Sequence, residues 1–75
     1  MDIVILGAGA MGSFFGGLLA KNGNQVTLVD VNETHVSAIK ERGLILEVEG
    51  DSETIKVDAT VNSKEVSNAD LVILF

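Results

Sequence analysis

The sequence lacks several residue types on which particular functions depend. It has no cysteine among its 75 residues, which excludes a disulfide, a thiolate metal site and a cysteine nucleophile and agrees with a reducing, cytoplasmic location. Basic residues are scarce, because 5 Lys and Arg stand against 11 Asp and Glu and leave a net charge of -6. No basic cluster is available to neutralise the phosphates of a nucleic acid, so DNA or RNA binding is not expected.

Charged residues are also missing from Ile3 to Ala20, a length that approaches a membrane span. Glycines interrupt this stretch repeatedly, and each glycine weakens a helix by about 1 kcal/mol relative to alanine. Asp2 precedes the stretch, where a signal peptide would carry positive charge. We therefore expect neither a membrane partner nor a secretion signal.

The spacing of apolar residues predicts a strand, a helix and a second strand at the start of the chain. Ile3–Leu6 is a short β-branched run of the kind buried in parallel sheets. The helix that follows carries one apolar stripe, formed by Met11, Phe14, Phe15, Leu18 and Leu19. We expect Phe14 and Phe15 to pack in the core. Gly23 is expected to end this helix, and Gln25–Asp30 to form the second strand.

A second helix is predicted from the residues at its ends. Asn32 can cap its N-terminus, where Glu33 suits the positive end of the helix dipole, and Gly43 can end it. Its apolar face, Val36 and Ile39, is narrow, so we expect the helix to lie on the outside. Strand, helix, strand and helix in this order favour a right-handed βαβ unit.

From residue 44 onward, apolar residues alternate with polar ones. The alternating apolar positions on the two sides of a turn cluster at 50–52 are Leu44, Leu46, Val48, Ile55, Val57 and Ala59. This pattern predicts a β-hairpin with one exposed face. Its solvated side would carry the acids Glu47, Glu49, Asp51 and Glu53. A short helical turn near residues 63–66, capped by Asn62, is expected to precede a last apolar strand at 71–75.

The turn after the first predicted strand carries the clearest functional motif. Its sequence is Gly7-Ala8-Gly9-Ala10-Met11-Gly12, which matches G-x-G-x-x-G. In a dinucleotide-binding fold, Gly7 permits the tight turn, Gly9 the approach of the pyrophosphate, and Gly12 close packing of helix on sheet. The helix N-terminus then directs N–H groups and a positive dipole at the phosphates. The motif follows a predicted strand and opens a predicted helix, so we assign all six residues to cofactor binding; a purely structural turn is the alternative.

Asp30 is the second element of the predicted cofactor site. It ends the second strand, close to the usual position of the acid that accepts hydrogen bonds from the adenosine ribose. A 2′-phosphate there would be repelled, and no Lys or Arg lies between Lys21 and Lys40 to offset the charge. Asp30 therefore favours NAD(H) over NADP(H); a solvated acid near a helix start is the alternative.

Other noticeable residues have ordinary structural explanations. His35, the only histidine, is expected in the first turn of the second helix, away from the glycine turn, as a surface or half-buried residue. Gly16 and Gly17 are expected to allow close helix contacts. Neither a metal-ligand cluster nor a nucleophile–base pair is visible, so we assign no metal-binding and no catalytic residue.

These features together predict an α/β fold: a Rossmann-type βαβ dinucleotide-binding unit with an added β-hairpin, truncated at the fourth main strand. The mean hydropathy of +0.39 is high for so small a unit, and the apolar run at 71–75 would be a poor solvated tail. We therefore interpret residues 1–75 as the N-terminal part of a dinucleotide-binding domain whose remainder is absent. The oligomeric state stays open, a homodimer included.

Three segments resemble the ketopantoate reductase (2-dehydropantoate 2-reductase) family. They are GAGAMGSFFGGLLAKNGNQVTLVD at 7–30, NETHVSAIKERGLILEVEGDSETIKVDATVNS at 32–63 and NADLVILF at 68–75. The glycine turn is shared by many dehydrogenases, whereas the helix and hairpin of the middle segment are more discriminating. Together the three cover essentially the whole chain.

The resemblance implies a longer enzyme that reduces the small molecule ketopantoate to pantoate on the route to pantothenate and coenzyme A. It implies that Gly7 to Gly12 bind the cofactor, and that the family's catalytic lysine and substrate-binding acid follow this segment. The resemblance also implies NADP(H). Many members have a basic residue after the second strand, however, where this chain has Asp30, Val31 and Asn32. We expect the 75-residue fragment alone to have no turnover.

Two other kinds of protein begin similarly. 3-Hydroxyacyl-CoA, 6-phosphogluconate and nucleotide-sugar dehydrogenases share the glycine turn, but a hairpin after the second helix favours ketopantoate reductase. Nucleotide-sensing domains of potassium transport systems also pair a glycine turn with an acidic strand end. They often have a charged residue where this chain has Ala10 and Met11, and they usually lack the hairpin.

Overall fold

The computed structural model describes residues 1–7, 9–62, 64 and 69–74. In these residues the elements are β1 (Asp2–Leu6), α1 (Ala10–Lys21), β2 (Gln25–Val29), α2 (Glu33–Arg42), β3 (Leu44–Val48), β4 (Asp51–Ile55), β5 (Asp58–Thr60) and β6 (Leu71–Leu74). Ala8, Phe75 and most of the helical turn predicted at 63–66 lie outside the described residues. The side chain of Asn62, the predicted cap of that turn, accepts a hydrogen bond from the N–H of Lys64 at 3.0 Å.

Four strands form a parallel sheet in the order β5-β2-β1-β6. β1 lies between β2 and β6, so that Ile3 is opposite Val26 on one side and Leu71 on the other. β5 pairs in parallel with β2 on the outer edge. Numbered as main strands the order is 3-2-1-4, the first part of a doubly wound dinucleotide-binding sheet. The α/β fold and the βαβ unit predicted from the sequence are confirmed.

The hairpin of β3 and β4 is separate from this sheet and shorter than predicted. Its antiparallel register runs from Leu44 opposite Ile55 to Val48 opposite Asp51. The predicted second arm, extending to Ala59, is wrong, because Asp58–Thr60 forms β5 and pairs with β2. Apolar residues alternate on both sides of this break, so the period of the sequence does not reveal that the strand changes partner.

α2 begins and ends as predicted. The Asn32 side chain caps it by accepting a hydrogen bond from the N–H of His35 at 3.0 Å, and Gly43 ends it with a φ of 81°. Val36 and Ile39 are buried and belong to the core cluster. The other members of that cluster come from the sheet and the hairpin: Ile3, Ile5, Val26, Leu28, Leu44 and Ala59.

α1 is oriented differently from the prediction. The N-terminal part of its apolar stripe does not face the core, since Met11, Phe14 and Phe15 are 61%, 42% and 40% exposed, whereas Leu19 packs against the core cluster. The helix also approaches the sheet through a glycine: a Cβ on Gly16 would lie 3.1 Å from Leu28 of the sheet. A glycine face lets the helix backbone approach the sheet closely, and this approach decides which side of the helix is buried.

β6 confirms the last predicted strand. It pairs with β1 along its length. Val72 and Leu74 are nevertheless 55% and 78% exposed. β6 is therefore an edge strand of the described sheet.

Candidate dinucleotide-binding site

The carboxyl ends of β1 and β2 are joined at the glycine turn. Gly7 follows β1 with a φ of 100°, in the left-handed region where a Cβ is disfavoured. Its N–H donates a hydrogen bond to the carbonyl oxygen of Val29, the last residue of β2, at 2.8 Å. The sharp turn and this bond fix the start of α1 above the end of the sheet.

Gly12 has its own steric requirement within this turn. A Cβ at this position would collide with the carbonyl oxygen of Gly7 and would lie 3.2 Å from its carbonyl carbon. Any other residue would push the first turn of α1 away from the end of β1. The close packing of helix and strand predicted for Gly12 is therefore explained by its contact with the carbonyl group of Gly7.

The side-chain direction of Gly9 is open within the described protein, while its carbonyl oxygen accepts a hydrogen bond from the N–H of Ser13 at 2.8 Å. Its φ of -69° and ψ of -169° suit any residue, and no side-chain hydrogen bond caps the helix there. A Cβ on Gly9 would meet no protein atom within 4 Å. The space above Gly9 is therefore open, at the positive end of a helix whose first turn contains no acidic residue.

The three remaining residues of the motif are Ala8, Ala10 and Met11. Ala10 is the first residue of α1. Met11 follows in the first turn, and its side chain is exposed. Ala8 lies outside the described residues.

Asp30 directly follows β2 and is half-buried. Its N–H donates to the carbonyl oxygen of Thr60, at the end of β5, at 3.1 Å. Its Oδ1 accepts a hydrogen bond from the N–H of Asn32 at 3.1 Å. The carboxylate is thus positioned at the junction of β2 and α2, at the same edge of the sheet as the glycine turn.

An open groove of about 650 Å³ connects these features. Its described lining residues are Gly9, Ser13, Phe14, Asp30, Asn32, His35, Ile45, Leu46 and Glu47. The groove brings together the open space at Gly9 and the predicted ribose ligand Asp30. Among these lining residues there are two carboxylates and neither Lys nor Arg.

Sequence reasoning missed two contributors to this groove. His35 is half-buried as predicted, but placing it away from the glycine turn was wrong, because both His35 and Gly9 line the groove. The hairpin contributes Ile45 and Glu47, whose alternation indicated only an exposed face. For His35 a signal existed: in a parallel sheet the N-termini of successive helices lie at one edge.

A second groove, of about 380 Å³, lies at the opposite end of the sheet between α2 and the start of β5. Its lining includes Gln25, Lys40 and Asp58 but no part of the glycine turn. Ligands of doubly wound sheets bind at the carboxyl ends of the strands, which makes the groove beside Gly9 the candidate site.

Two negative findings apply to the described part of the chain. No group of three or more His, Asp or Glu residues there could hold a metal ion. None of its helices combines the length and apolar character that a membrane crossing requires.

Comparison with known proteins identifies the family. The model of the family "Ketopantoate reductase PanE/ApbA" matches residues 3–75. The chain belongs to the ketopantoate reductase family. The resemblance inferred from the three sequence segments is therefore confirmed, and neither the other dehydrogenases nor the nucleotide-sensing domains receive support.

Individual relatives agree with this assignment. The chain is similar to the 2-dehydropantoate 2-reductase of Lactococcus lactis, with 48% identity over 79 residues, 100% of this chain and 25% of that protein. The enzyme of the same name from Pyrococcus abyssi is 49% identical over 74 residues, 99% of this chain and 24% of that protein. The chain therefore spans about a quarter of the length of these curated relatives.

A solved structure resembles the chain over its whole length. It is a D-mandelate dehydrogenase in a ternary structure with NADH and anilino(oxo)acetate, with a TM-score of 0.88 and 44% identity. It covers 100% of this chain, which corresponds to 25% of that protein. The Rossmann-type fold expected from the sequence is thus shared with a relative of considerable identity.

Proposed function

We propose that residues 1–75 bind the adenosine diphosphate half of a nicotinamide dinucleotide in a reductase that converts ketopantoate to pantoate, for pantothenate and coenzyme A synthesis. The observation that carries this proposal is the family match over residues 3–75. The 2-dehydropantoate 2-reductases of Lactococcus lactis and Pyrococcus abyssi support the same reaction. A small-molecule substrate and a cytoplasmic location belong to the same proposal.

The glycine turn suits the pyrophosphate of such a cofactor. Apart from its chain neighbours, no atom of the described residues lies within 4 Å of the position that a Cβ on Gly9 would take, so a phosphate can approach the backbone there. The N-terminus of α1 has no side-chain cap, and its N–H groups and dipole favour a negative group. We assign Gly7, Gly9 and Gly12, with Ala8, Ala10 and Met11 between them, to this function.

Asp30 would receive the adenosine ribose. Its Oδ1 accepts a hydrogen bond from the N–H of Asn32, and a carboxylate can accept several hydrogen bonds at once. A ribose with free hydroxyls can donate to it, whereas a 2′-phosphate would be repelled. We propose NADH as the preferred cofactor on the basis of the charge of Asp30. The similar D-mandelate dehydrogenase structure with NADH supports a nicotinamide dinucleotide as the cofactor class.

This segment contributes binding and position rather than proton transfer. When bound, the cofactor supplies the hydride. We assign no catalytic residue within residues 1–75, since the family resemblance places the catalytic lysine and the substrate-binding acid after this segment. Residues 1–75 alone are accordingly expected to have no turnover.

A second candidate function is the NADH-dependent reduction of another 2-oxo acid. The observation that favours it is the 44% identity to a D-mandelate dehydrogenase. Mandelate and pantoate are both 2-hydroxy acids, so the two candidate reactions have the same chemistry at the carbon that receives the hydride. They differ in the substituent that the remainder of the enzyme must accommodate.

Turnover measurements separate these functions. The protein expressed with its native flanking sequence is supplied with NADH or NADPH and with ketopantoate, phenylglyoxylate or no acid. Oxidation of NADH that depends on ketopantoate supports the main proposal, and preference for phenylglyoxylate supports the second candidate. Absence of dinucleotide oxidation with both acids would contradict both.

A further inference from the structure

The groove beside the glycine turn carries a second carboxylate, which comes from the hairpin rather than from the sheet. Glu47 lines this groove together with Gly9 and Asp30. On β3, Ile45 is 68% exposed, whereas Leu46 is only 4% exposed and faces the core side. Glu47 is exposed and shares the outward face of the strand with Ile45, because side chains alternate along a strand. Its side chain therefore belongs to the open side of the groove.

Close backbone packing determines where the hairpin lies. A Cβ on Gly17 of α1 would be 3.5 Å from the Leu46 side chain, so β3 packs directly on a glycine surface of the helix. Gly43 precedes β3 with a φ of 81°, and a Cβ there would lie 2.7 Å from the carbonyl oxygen of Ile55. β3 is thus packed against α1 at its middle and follows the end of α2 directly at the base of the hairpin, and Glu47, the residue after Leu46, is held at the groove with it.

The charge of the groove favours one form of dinucleotide. Its described lining contains the carboxylates of Asp30 and Glu47 and neither Lys nor Arg. The adenine ribose of NADH carries a neutral 2′-hydroxyl, whereas NADPH has a dianionic phosphate there. A carboxylate and a phosphate roughly 8 Å apart in water repel each other enough to lower a binding constant by a factor of a few, and salt screens this repulsion.

From this arrangement we propose that Glu47 is a specificity-determining residue, which acts with Asp30 to exclude a 2′-phosphate from the cofactor site. The inference rests on the proposed function. Asp30 accepts hydrogen bonds from the ribose, while Glu47 acts through space and makes no bond to NADH. Both dinucleotides carry an anionic pyrophosphate that Glu47 also repels, so its removal is expected to tighten NADPH binding more than NADH binding.

The test measures dissociation constants for NADH and NADPH by titration calorimetry, with the protein expressed with its native flanking sequence. The conditions are low salt and pH 8, where histidine side chains are generally neutral. The variants are Glu47→Gln and, as a control with the same change in net charge, Glu49→Gln. Glu49 is exposed and is not among the described lining residues.

Glu47→Gln is expected to tighten NADPH binding about three- to tenfold and to change NADH binding less than about twofold. The gain should shrink in 0.5 M NaCl, and Glu49→Gln should leave the ratio of the two constants close to that of the wild type. An equal increase in NADPH affinity in Glu47→Gln and Glu49→Gln would overturn the inference. A parallel loss of affinity for both dinucleotides in Glu47→Gln would overturn it as well. Wild-type protein that binds neither dinucleotide would instead overturn the proposed function itself.

Discussion

The carbonyl oxygen of Gly7 lies where a Cβ on Gly12 would have to be. This contact and the open space at Gly9 divide the glycine motif into two kinds of position. Gly12 is required by the folded protein, whereas a Cβ on Gly9 would meet no atom of the described residues within 4 Å, and the proposed ligand accounts for the glycine there. The two positions therefore respond differently to substitution.

Gly12→Ala is predicted to destabilise the fold. Because the colliding atom belongs to the backbone, the start of α1 must shift, and such overpacking costs about 1–3 kcal/mol. Gly9→Ala is the matched control and should change the free energy of unfolding by less than about 1 kcal/mol. Urea unfolding of both variants measures the difference. Equal destabilisation would contradict the distinction between the two glycines.

The hairpin is predicted to be held by packing rather than by its ion pair. Leu46 is 4% exposed, so Leu46→Ala should lower the free energy of unfolding by about 2–5 kcal/mol. Lys21 and Glu53 form an ion pair at 3.1 Å with both side chains 52% exposed, and Glu53→Gln should cost less than about 1 kcal/mol. A larger loss for Glu53→Gln than for Leu46→Ala would contradict this view.

Asp30→Ala is predicted to relax the discrimination between NADH and NADPH. The variant loses the acceptor proposed for the ribose hydroxyls, and hydrogen bonds to a charged group contribute about 1.5–3 kcal/mol. NADH binding should weaken about tenfold or more, while NADPH binding is unchanged or improved by the loss of repulsion. The measurement is the ratio of the two dissociation constants. An unchanged ratio would show that Asp30 is not the ribose ligand.

Features governed by local chemistry could be predicted from the sequence. The positions of β1, β2 and β6 were predicted from local apolar patterns, and the ends of α2 followed from Asn32 and Gly43. The glycine turn was recognisable because a strand precedes it and a helix follows it. Each of these signals depends on a few neighbouring residues, which a single sequence contains.

Features that depend on distant contacts were predicted less well. Phe14 and Phe15 of α1 were expected in the core but are exposed. The close contacts expected at Gly12, Gly16 and Gly17 are present, but the hydrophobic pattern did not indicate that this glycine face would be the one turned to the protein. The break between β4 and β5 was invisible, because both strands share one alternation. Glu47 belongs to the groove only because the hairpin folds against α1, and no local pattern encodes that placement.

The most direct test of the central claim is the affinity of Gly9→Val for NADH. The φ and ψ of Gly9 allow valine, so the protein should remain folded, while the side chain occupies the space assigned to the pyrophosphate. Calorimetry should show NADH binding weakened by more than about tenfold, with Ala38→Val, at an exposed position of α2, binding like the wild type. NADH affinity for Gly9→Val within about twofold of the wild-type value would show that the pyrophosphate does not bind over this turn.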